Sequence, residues 1–264
     1  MNIFVAFFKS LYSPTYIGRF RFLGIGKTIG YVFFLMLIVS IPASVIVTQT
    51  VISTTNLVKD ALALNLPDFT IQNGKLQSEE EEPLFFQKDN SRVIFDSTGE
   101  ITISDLKEDE EVFALLQEDI YIASHNETYT FRYDQAGNIA LTKDEISQFI
   151  DSATQLLPIF IPVYLIIFYI FSTGLKFVGI TFLSLIGYLM KRSAPISLTY
   201  RHIWILSAYT VTLPTVLSMI IDILRIPFLT AANFFLYWLI AITMLFVVYK
   251  KLPTPKRKSP QVEK

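Results

Sequence analysis

The chain has 264 residues, of which 52% are hydrophobic and 14% aromatic, and its formal net charge is -1. This composition is too apolar for one or two soluble domains, so we predict a polytopic α-helical membrane protein and expect no nucleic-acid partner. The small net charge hides a segregation: residues 51–150 hold seven Lys and Arg against 20 Asp and Glu. The remainder holds 15 basic and three acidic residues.

The first 27 residues are predicted to form a cytoplasmic segment at the membrane interface. Phe4, Phe8 and Leu11 follow helical spacing before Pro14, which indicates a short helix. Two placements remain open for this helix, one in the lipid interface and one packed on the inner end of the bundle. The following "GIGKT" resembles the end of a phosphate-binding loop but lacks its first glycine, so we expect no nucleotide and no other cofactor.

Four apolar stretches have at least the length of about 20 residues that a transmembrane helix needs. The predicted spans are 28–50, 151–190 including a lead-in, 203–222 and 230–249. The second stretch could also form a hairpin of two spans. A single crossing, however, places the basic clusters of 1–27, 191–202 and 250–264 on one side of the membrane. We therefore predict four transmembrane helices with both termini in the cytoplasm.

Residues 51–150 are predicted to form a small acidic α+β extracytoplasmic domain, inserted between the first and second spans. We expect a helix over 56–66 and a type I′ hairpin turn at Asn73-Gly74. Similar patterns around Gly99 and Gly137 predict further hairpins of an antiparallel sheet. Cysteine is absent and the acidic runs lack the spacing of a calcium loop, so no metal site is predicted. A cysteine-free external domain fits a Gram-positive bacterium.

The sequence Asp96-Ser97-Thr98-Gly99 resembles half of an aspartic-protease site, whose chemistry requires two aspartates that share a proton. The chain holds no second copy, and a turn between strands is the more common use of such a sequence. We therefore predict that the protein is not an enzyme. A membrane-anchored aspartic hydrolase, completed by a homodimer, is the remote alternative.

The second and third predicted spans each carry a face of small or polar residues at helical spacing. Small residues let helices approach closely, and buried polar groups need partners, so we expect the two faces to pack together. The residues are Ser172, Lys176, Gly179 and Gly187 on the second span and Ser207, Thr210, Pro214, Ser218 and Asp222 on the third.

Lys176 and Asp222 are the ionisable members of these faces. Counting at about 1.5 Å per residue from the inner helix ends places Ser218 level with Lys176 and Asp222 one turn higher. An extended lysine reaches that far, so we predict an intramembrane ion pair. A position of Lys176 nearer an interface, or a local pair of Asp222 with Arg225, are the alternatives.

The segment after the last span, "YKKLPTPKRKSP", combines an aromatic anchor with a proline-stiffened cationic tail. Its basic residues predict contact with anionic lipid, and a topogenic signal explains them equally well. They are Lys250, Lys251, Lys256, Arg257 and Lys258.

Two short motifs, "SLYSP" at 10–14 and "LTYRHIWILSAYTVTLPTVL" at 198–217, resemble the bacterial maltodextrin utilization membrane protein family. That family also has an extracytoplasmic insertion between its first two spans. Tyr200-Arg201 and Pro214 are, more distantly, similar to the Yip-type membrane proteins. The resemblance implies a link to maltodextrin uptake and assigns no catalytic residue.

We therefore expect a non-enzymatic, multi-pass plasma-membrane protein that acts as an accessory, scaffold or sensor component. Direct transport, or a channel role in a permease complex, is the alternative, because an intramembrane ionisable group often marks a conduction path. The expected partners are the lipid bilayer, a sugar permease or another membrane protein, and a second copy of the chain.

Overall fold

The computed structural model describes residues 2–64, 66–88, 91–106, 111–124, 127–137, 140–224 and 226–253. Within these ranges, four helical segments are long and apolar enough to cross a membrane, and a small strand-containing region separates the first two along the chain. The chain divides into two compact units. The helical unit comprises Met1–Ser44 and Tyr164–Lys264, and the strand-containing unit comprises Val45–Val163.

Seven α-helices lie in the described ranges. They are α1 (Ile3–Tyr12), α2 (Pro14–Arg19), α3 (Ile25–Leu62), α4 (Lys143–Leu189), α5 (Tyr200–Thr210), α6 (Thr212–Leu224) and α7 (Pro227–Lys250). Residues 157–189 belong to one continuous helix, α4, without the turn that a hairpin of two spans needs. The helix predicted over 56–66 corresponds to the end of α3, which is continuous from Ile25 and ends at Leu62.

The third apolar segment is divided into α5 and α6 at Val211. Pro214 explains the division, because it has no N–H to donate to the carbonyl of Thr210 four residues earlier. The N–H of Val211 still donates to Ser207 at 3.1 Å and that of Thr215 donates to Val211 at 3.0 Å. The interruption therefore removes a hydrogen bond without ending the segment.

Burial in the helical unit is uneven along the helices. The core contains the first part of α3, with Tyr31 and Leu35, the last part of α4, with Leu183, and the last part of α7, with Leu245. The opposite part of α7 is open, with Phe235 74% exposed. The helices are thus tightly packed at one end of the unit and loosely packed at the other.

The N-terminal helix α1 packs on the helical unit through a face that differs from the predicted one. Ala6, Phe7 and Ser10 are buried, whereas Phe4 and Phe8 are 56% and 58% exposed. One side of α1 is therefore packed on the helical unit, and the other side exposes aromatic rings.

The strand-containing unit holds two sheets within the described ranges. The first has the strand order β2-β1-β8 and the second the order β3-β4-β5-β6-β7. The strands are β1 (Phe69–Gln72), β2 (Lys75–Ser78), β3 (Leu84–Lys88), β4 (Ser91–Phe95), β5 (Glu111–Leu115), β6 (Asp119–Ser124), β7 (Glu127–Arg132) and β8 (Leu141–Thr142).

The predicted turn at Asn73-Gly74 is confirmed, because β1 and β2 pair in antiparallel register and both turn residues have positive φ, 53° and 73°. The predicted hairpins around Gly99 and Gly137 are wrong. The Gly99 loop leads to a 3-10 turn at Ile103–Asp105, and β5 then pairs with β4 in parallel. After Gly137 the chain instead forms β8, which joins β1 in the other sheet.

The central strands β4 and β5 are buried on both faces. Val93 and Phe113 belong to one apolar cluster, which includes residues near the end of α3, and Ile94 and Ala114 belong to a second cluster on the opposite face. Two-sided burial explains why these strands are apolar runs without alternation, as is usual next to parallel pairing.

The end of α3 and the beginning of α4 lie side by side in the strand-containing unit. The Lys59 ammonium lies 2.9 Å from a carboxylate oxygen of Asp151. The Lys143 ammonium donates to the carbonyl of Leu66 at 2.6 Å. The ion pair is largely solvated, so it contributes about 1 kcal/mol or less, and the helix ends are held mainly by the apolar cluster around Leu57 and Ala61.

Candidate functional site

The lysine cluster consists of Lys176 on α4, Thr215 on α6 and Tyr237 on α7. The Lys176 ammonium donates to the Thr215 hydroxyl at 3.1 Å and to the Tyr237 hydroxyl at 3.3 Å. It also lies 4.7 Å from the centre of the Tyr237 ring, a cation–π distance. Thr215 uses its own proton to donate to the Val211 carbonyl at 2.6 Å, so its oxygen is free to accept from the ammonium.

The amide cluster consists of Ser218 and Asp222 on α6 and Asn233 on α7. The Ser218 hydroxyl donates to the amide oxygen of Asn233 at 2.8 Å, and the amide nitrogen of Asn233 donates to Asp222 at 3.1 Å. Ser218 and Asp222 are four residues apart, so both face the same side of α6. One asparagine therefore bridges two polar residues of the neighbouring helix.

The predicted ion pair between Lys176 and Asp222 is not formed in the structure. Thr215, and not Ser218, is the α6 residue that contacts Lys176. Asp222 lies seven residues beyond Thr215, or about 10 Å along the helix, and its carboxylate is bonded by Asn233. The alternative partner of Asp222, Arg225, lies outside the described residues.

The small-residue face of α4 has two different environments. Gly187 is buried, and a Cβ atom at this position would lie 2.7 Å from the Tyr249 hydroxyl, 2.8 Å from Leu245 and 3.0 Å from Ile203. The Tyr249 hydroxyl also donates to the Gly187 carbonyl at 3.1 Å. At Gly179, by contrast, a Cβ atom would meet nothing within 4 Å. Close helix packing on this face is thus confined to the Gly187 end.

The other predicted packing residues satisfy their polar groups within their own helices or are buried without doing so. Ser172 donates to the carbonyl of Tyr169, and Thr210 donates to that of Leu206. Ser207 is fully buried, and its hydroxyl has no hydrogen-bond partner among the described residues. Pro214 is also buried. Within the described residues, Lys176 is the one member of the predicted α4 face with a hydrogen bond to α6, through Thr215.

Thr215, Asn233 and Tyr237 complete the two clusters and were not identified from the sequence. Asn233 and Tyr237 lie four residues apart on α7, and Asn233 is the one Asn or Gln of residues 228–250. An amide in an apolar helix requires a partner, so this pair is a detectable signal. Thr215 directly follows Pro214, which belongs to the predicted packing face of the third span.

The basic tail is described only in part. Lys250 ends α7 and its ammonium lies 5.4 Å from the centre of the Phe246 ring, while Lys251 is exposed. Lys256, Arg257 and Lys258 lie outside the described residues. The part that the structure describes therefore places a cation beside an aromatic ring at the end of the last apolar helix.

Asp96 organises the loop that leaves β4. Its carboxylate accepts from the hydroxyl and N–H of Thr98 at 2.7 and 2.8 Å, from the N–H of Gly99 at 3.1 Å and from that of Ile101 at 2.7 Å. Burial acts to raise the pKa of Asp96, but these hydrogen bonds outweigh it and lower the pKa below its ordinary value. Both carboxylate oxygens are thus engaged in turn formation.

A cleft of about 770 Å³ lies against β1, β2 and β8 in the strand-containing unit. Its wall is polar and includes Asp68, Glu79, Glu80 and Asp144. In the part of the chain that the structure describes, no group of three or more His, Cys, Asp or Glu side chains could hold a metal ion.

Comparison with known proteins gives one family. A family model described as "Protein of unknown function (DUF1189)" matches residues 4–249. No curated protein and no solved structure matches the chain. Because the match includes α1 and extends to Tyr249 near the end of α7, it covers both compact units. The chain therefore belongs to the DUF1189 family, whose function is not known.

Proposed function

We propose that the protein is a non-enzymatic, four-span plasma-membrane protein that acts as an accessory, scaffold or sensor component of a membrane complex. One observation carries the proposal: α4 is apolar and exposed on most sides. Ile166, Phe171 and Val178 are 59%, 65% and 66% exposed, whereas α5 is mostly buried. In a bilayer such a helix contacts lipid or a partner helix, and the ionisable Lys176 on α4 supports contact with a partner helix.

Affinity purification of the tagged protein in mild detergent, with identification of co-purifying proteins, tests this function. We expect a second membrane protein to be recovered in a fixed ratio to the chain, and absent from the same purification with an unrelated tagged four-span protein. Recovery of the chain alone would reject the accessory role and favour a scaffold or a self-contained channel.

The proposed process is maltodextrin uptake, which the resemblance to the maltodextrin utilization family supports. Recovery of a sugar permease would support this link, and so would slower uptake of labelled maltodextrin, with unchanged glucose uptake, in cells lacking the protein. Normal uptake of both sugars would remove maltodextrin from the proposal and leave the accessory role standing.

Direct transport is the second candidate function, because the lysine and amide clusters follow one another along the contact between α6 and α7. Intramembrane polar groups in series are typical of conduction paths. Flux of maltodextrin or protons through liposomes containing only this protein would favour transport. The absence of flux in the same liposomes would exclude a self-contained carrier for these solutes.

The proposed topology places the strand-containing unit outside the cell and α1 in the cytoplasm, because the basic clusters then all lie inside. Thr15 and Glu100 are both exposed, and the chain has no cysteine of its own. In intact cells an impermeant maleimide is expected to label a Glu100→Cys variant and not a Thr15→Cys variant. Labelling of both variants after permeabilisation is the control, and the reverse pattern in intact cells would invert the topology.

We further propose that the tail residues Lys250, Lys251, Lys256, Arg257 and Lys258 contact anionic lipid. Each basic residue near an anionic surface contributes about 1 kcal/mol. A peptide of residues 249–260 is expected to sediment with vesicles that contain phosphatidylglycerol, less so as salt is raised, and not with neutral vesicles. Equal binding to both vesicle types at low salt would refute the lipid contact.

A further inference from the structure

The two hydrogen-bond partners of the Lys176 ammonium among the described residues are neutral. It uses two of its three N–H groups, toward Thr215 and Tyr237, and within the described ranges no carboxylate lies within ion-pair distance of it. Asp222, the one acidic residue of 200–250, is bonded by Asn233 instead. The positive charge of Lys176 is thus hydrogen-bonded but not compensated.

The lysine cluster lies at the depth of the middle of α7. Tyr237 is 10 residues from the beginning and 13 residues from the end of this helix, or about 15 and 20 Å along its axis. The hydrocarbon core of a bilayer is about 30 Å thick, so phosphate headgroups lie outside the level of this cluster. An anion that compensates Lys176 therefore has to be carried into the membrane by a protein helix.

One flank of Lys176 on α4 is open to such a helix. Gly179, three residues further along, lies on the same side of α4 as Lys176, and a Cβ atom at this position would meet nothing within 4 Å. Leu175, which borders the same flank, is 57% exposed. A glycine allows two helix backbones to approach closely, and an exposed apolar side chain suits a transmembrane partner.

We infer that Lys176 is the docking point for a transmembrane helix of a partner protein that carries a single carboxylate near mid-membrane. The carboxylate accepts the third N–H of Lys176 and compensates its charge, while Gly179 on the same side of α4 admits the helix backbone. The inference rests on the proposed accessory function and names the chemistry of the partner. It also gives Thr215 and Tyr237 a role, which is to hold the ammonium in place before docking.

Two synthetic apolar helices of about 21 residues, without tryptophan and identical except for a central Glu or Gln, provide the probe. Each carries a dansyl acceptor, and Trp204 and Trp238 of the full-length protein in neutral liposomes are the donors. We expect the wild-type protein to bind the Glu helix about tenfold more tightly than the Gln helix. The Lys176→Met variant is expected to bind both alike. Equal binding by the wild type, or a preference that persists in Lys176→Met, would overturn the inference.

Variants that keep the charge separate docking from a structural role of Lys176. Lys176→Arg, Thr215→Val and Tyr237→Phe each retain a cation at this depth, so they are expected to keep the preference for the Glu helix. If Lys176 only stabilises the fold, all these variants lose hydrogen bonds and no preference for the Glu helix is seen in any of them. Should Lys176→Met fail to fold, loss of the preference in Lys176→Arg would count against docking.

Purification from cells distinguishes this inference from the proposed function. If a partner co-purifies equally with the wild type and with Lys176→Met, the accessory function stands and docking at Lys176 is rejected. If the wild type prefers the Glu helix but no partner co-purifies with it, the accessory function is rejected and the preference of Lys176 for a carboxylate is supported. If a partner co-purifies with the wild type and not with Lys176→Met, both the accessory function and docking at Lys176 are supported.

Discussion

Replacing Gly187 by alanine is expected to lower the melting temperature of the protein in detergent, with a loss of about 1–3 kcal/mol of stability. The added Cβ would lie 2.7–3.0 Å from Tyr249, Leu245 and Ile203, all of which are buried. Because these neighbours come from α5 and α7, the methyl group separates three helices at once. Thermal unfolding followed by tryptophan fluorescence measures the effect.

The matched control is Gly179→Ala on the same helix, where the added Cβ meets nothing within 4 Å. Alanine favours a helix over glycine by about 0.5–1 kcal/mol, so this variant is expected to be neutral or slightly more stable. Adding Tyr249→Phe to Gly187→Ala removes the nearest clashing atom and is expected to restore part of the stability. Equal melting temperatures for the two glycine variants would show that α4 does not pack closely at Gly187.

The second large effect is expected at Asp96, where an Asp96→Asn substitution should destabilise the strand-containing unit by about 3 kcal/mol. An amide replaces one carboxylate oxygen, and whichever way it is oriented its NH₂ group faces a backbone N–H. Either the hydrogen bond from Ile101 or the three from Thr98 and Gly99 are then lost, and two donors are left in contact. Limited proteolysis of the full-length protein measures the effect, with Glu100→Gln, an exposed neighbour, as the control.

The lowered pKa of Asp96 also predicts a pH dependence. A carboxylate whose pKa is lower in the folded than in the unfolded protein contributes its full stability above the unfolded value, about 3.9. This contribution is lost as the pH falls through the folded pKa. Wild-type protein is therefore expected to become protease-sensitive on acidification below about pH 4, with a component that is absent in Asp96→Asn. The same acid profile in both proteins would contradict the role given to Asp96.

The four apolar segments and the turn at Asn73-Gly74 were predictable because both depend on local sequence. Hydrocarbon thickness sets the length of an apolar run, and the positive φ of Asn73 and Gly74 selects the turn residues. The parallel pairing of β4 with β5 was not predictable in this way. It depends on where a chain segment returns after a loop, and the residues around Gly99 are equally compatible with a hairpin.

The sequence allowed us to predict which charged residues lie in the apolar helices, but not which residues they contact. Lys176 and Asp222 stand out because charge is rare in apolar helices. Which residue meets Lys176, however, depends on the rotation and height of α6, and one residue turns a helix by about 100°. A single residue separates the predicted face at Pro214 from the observed contact at Thr215.

The contacts between the end of α3 and the beginning of α4 make the strand-containing region a module. Through Leu66 and Lys143, and through the pairing of β1 with β8, the chain leaves this region close to where it enters. An insert whose two ends meet can be exchanged or lost without altering the spacing of the helices that carry it. The sequence of this region and that of the helical unit are therefore free to diverge independently during evolution.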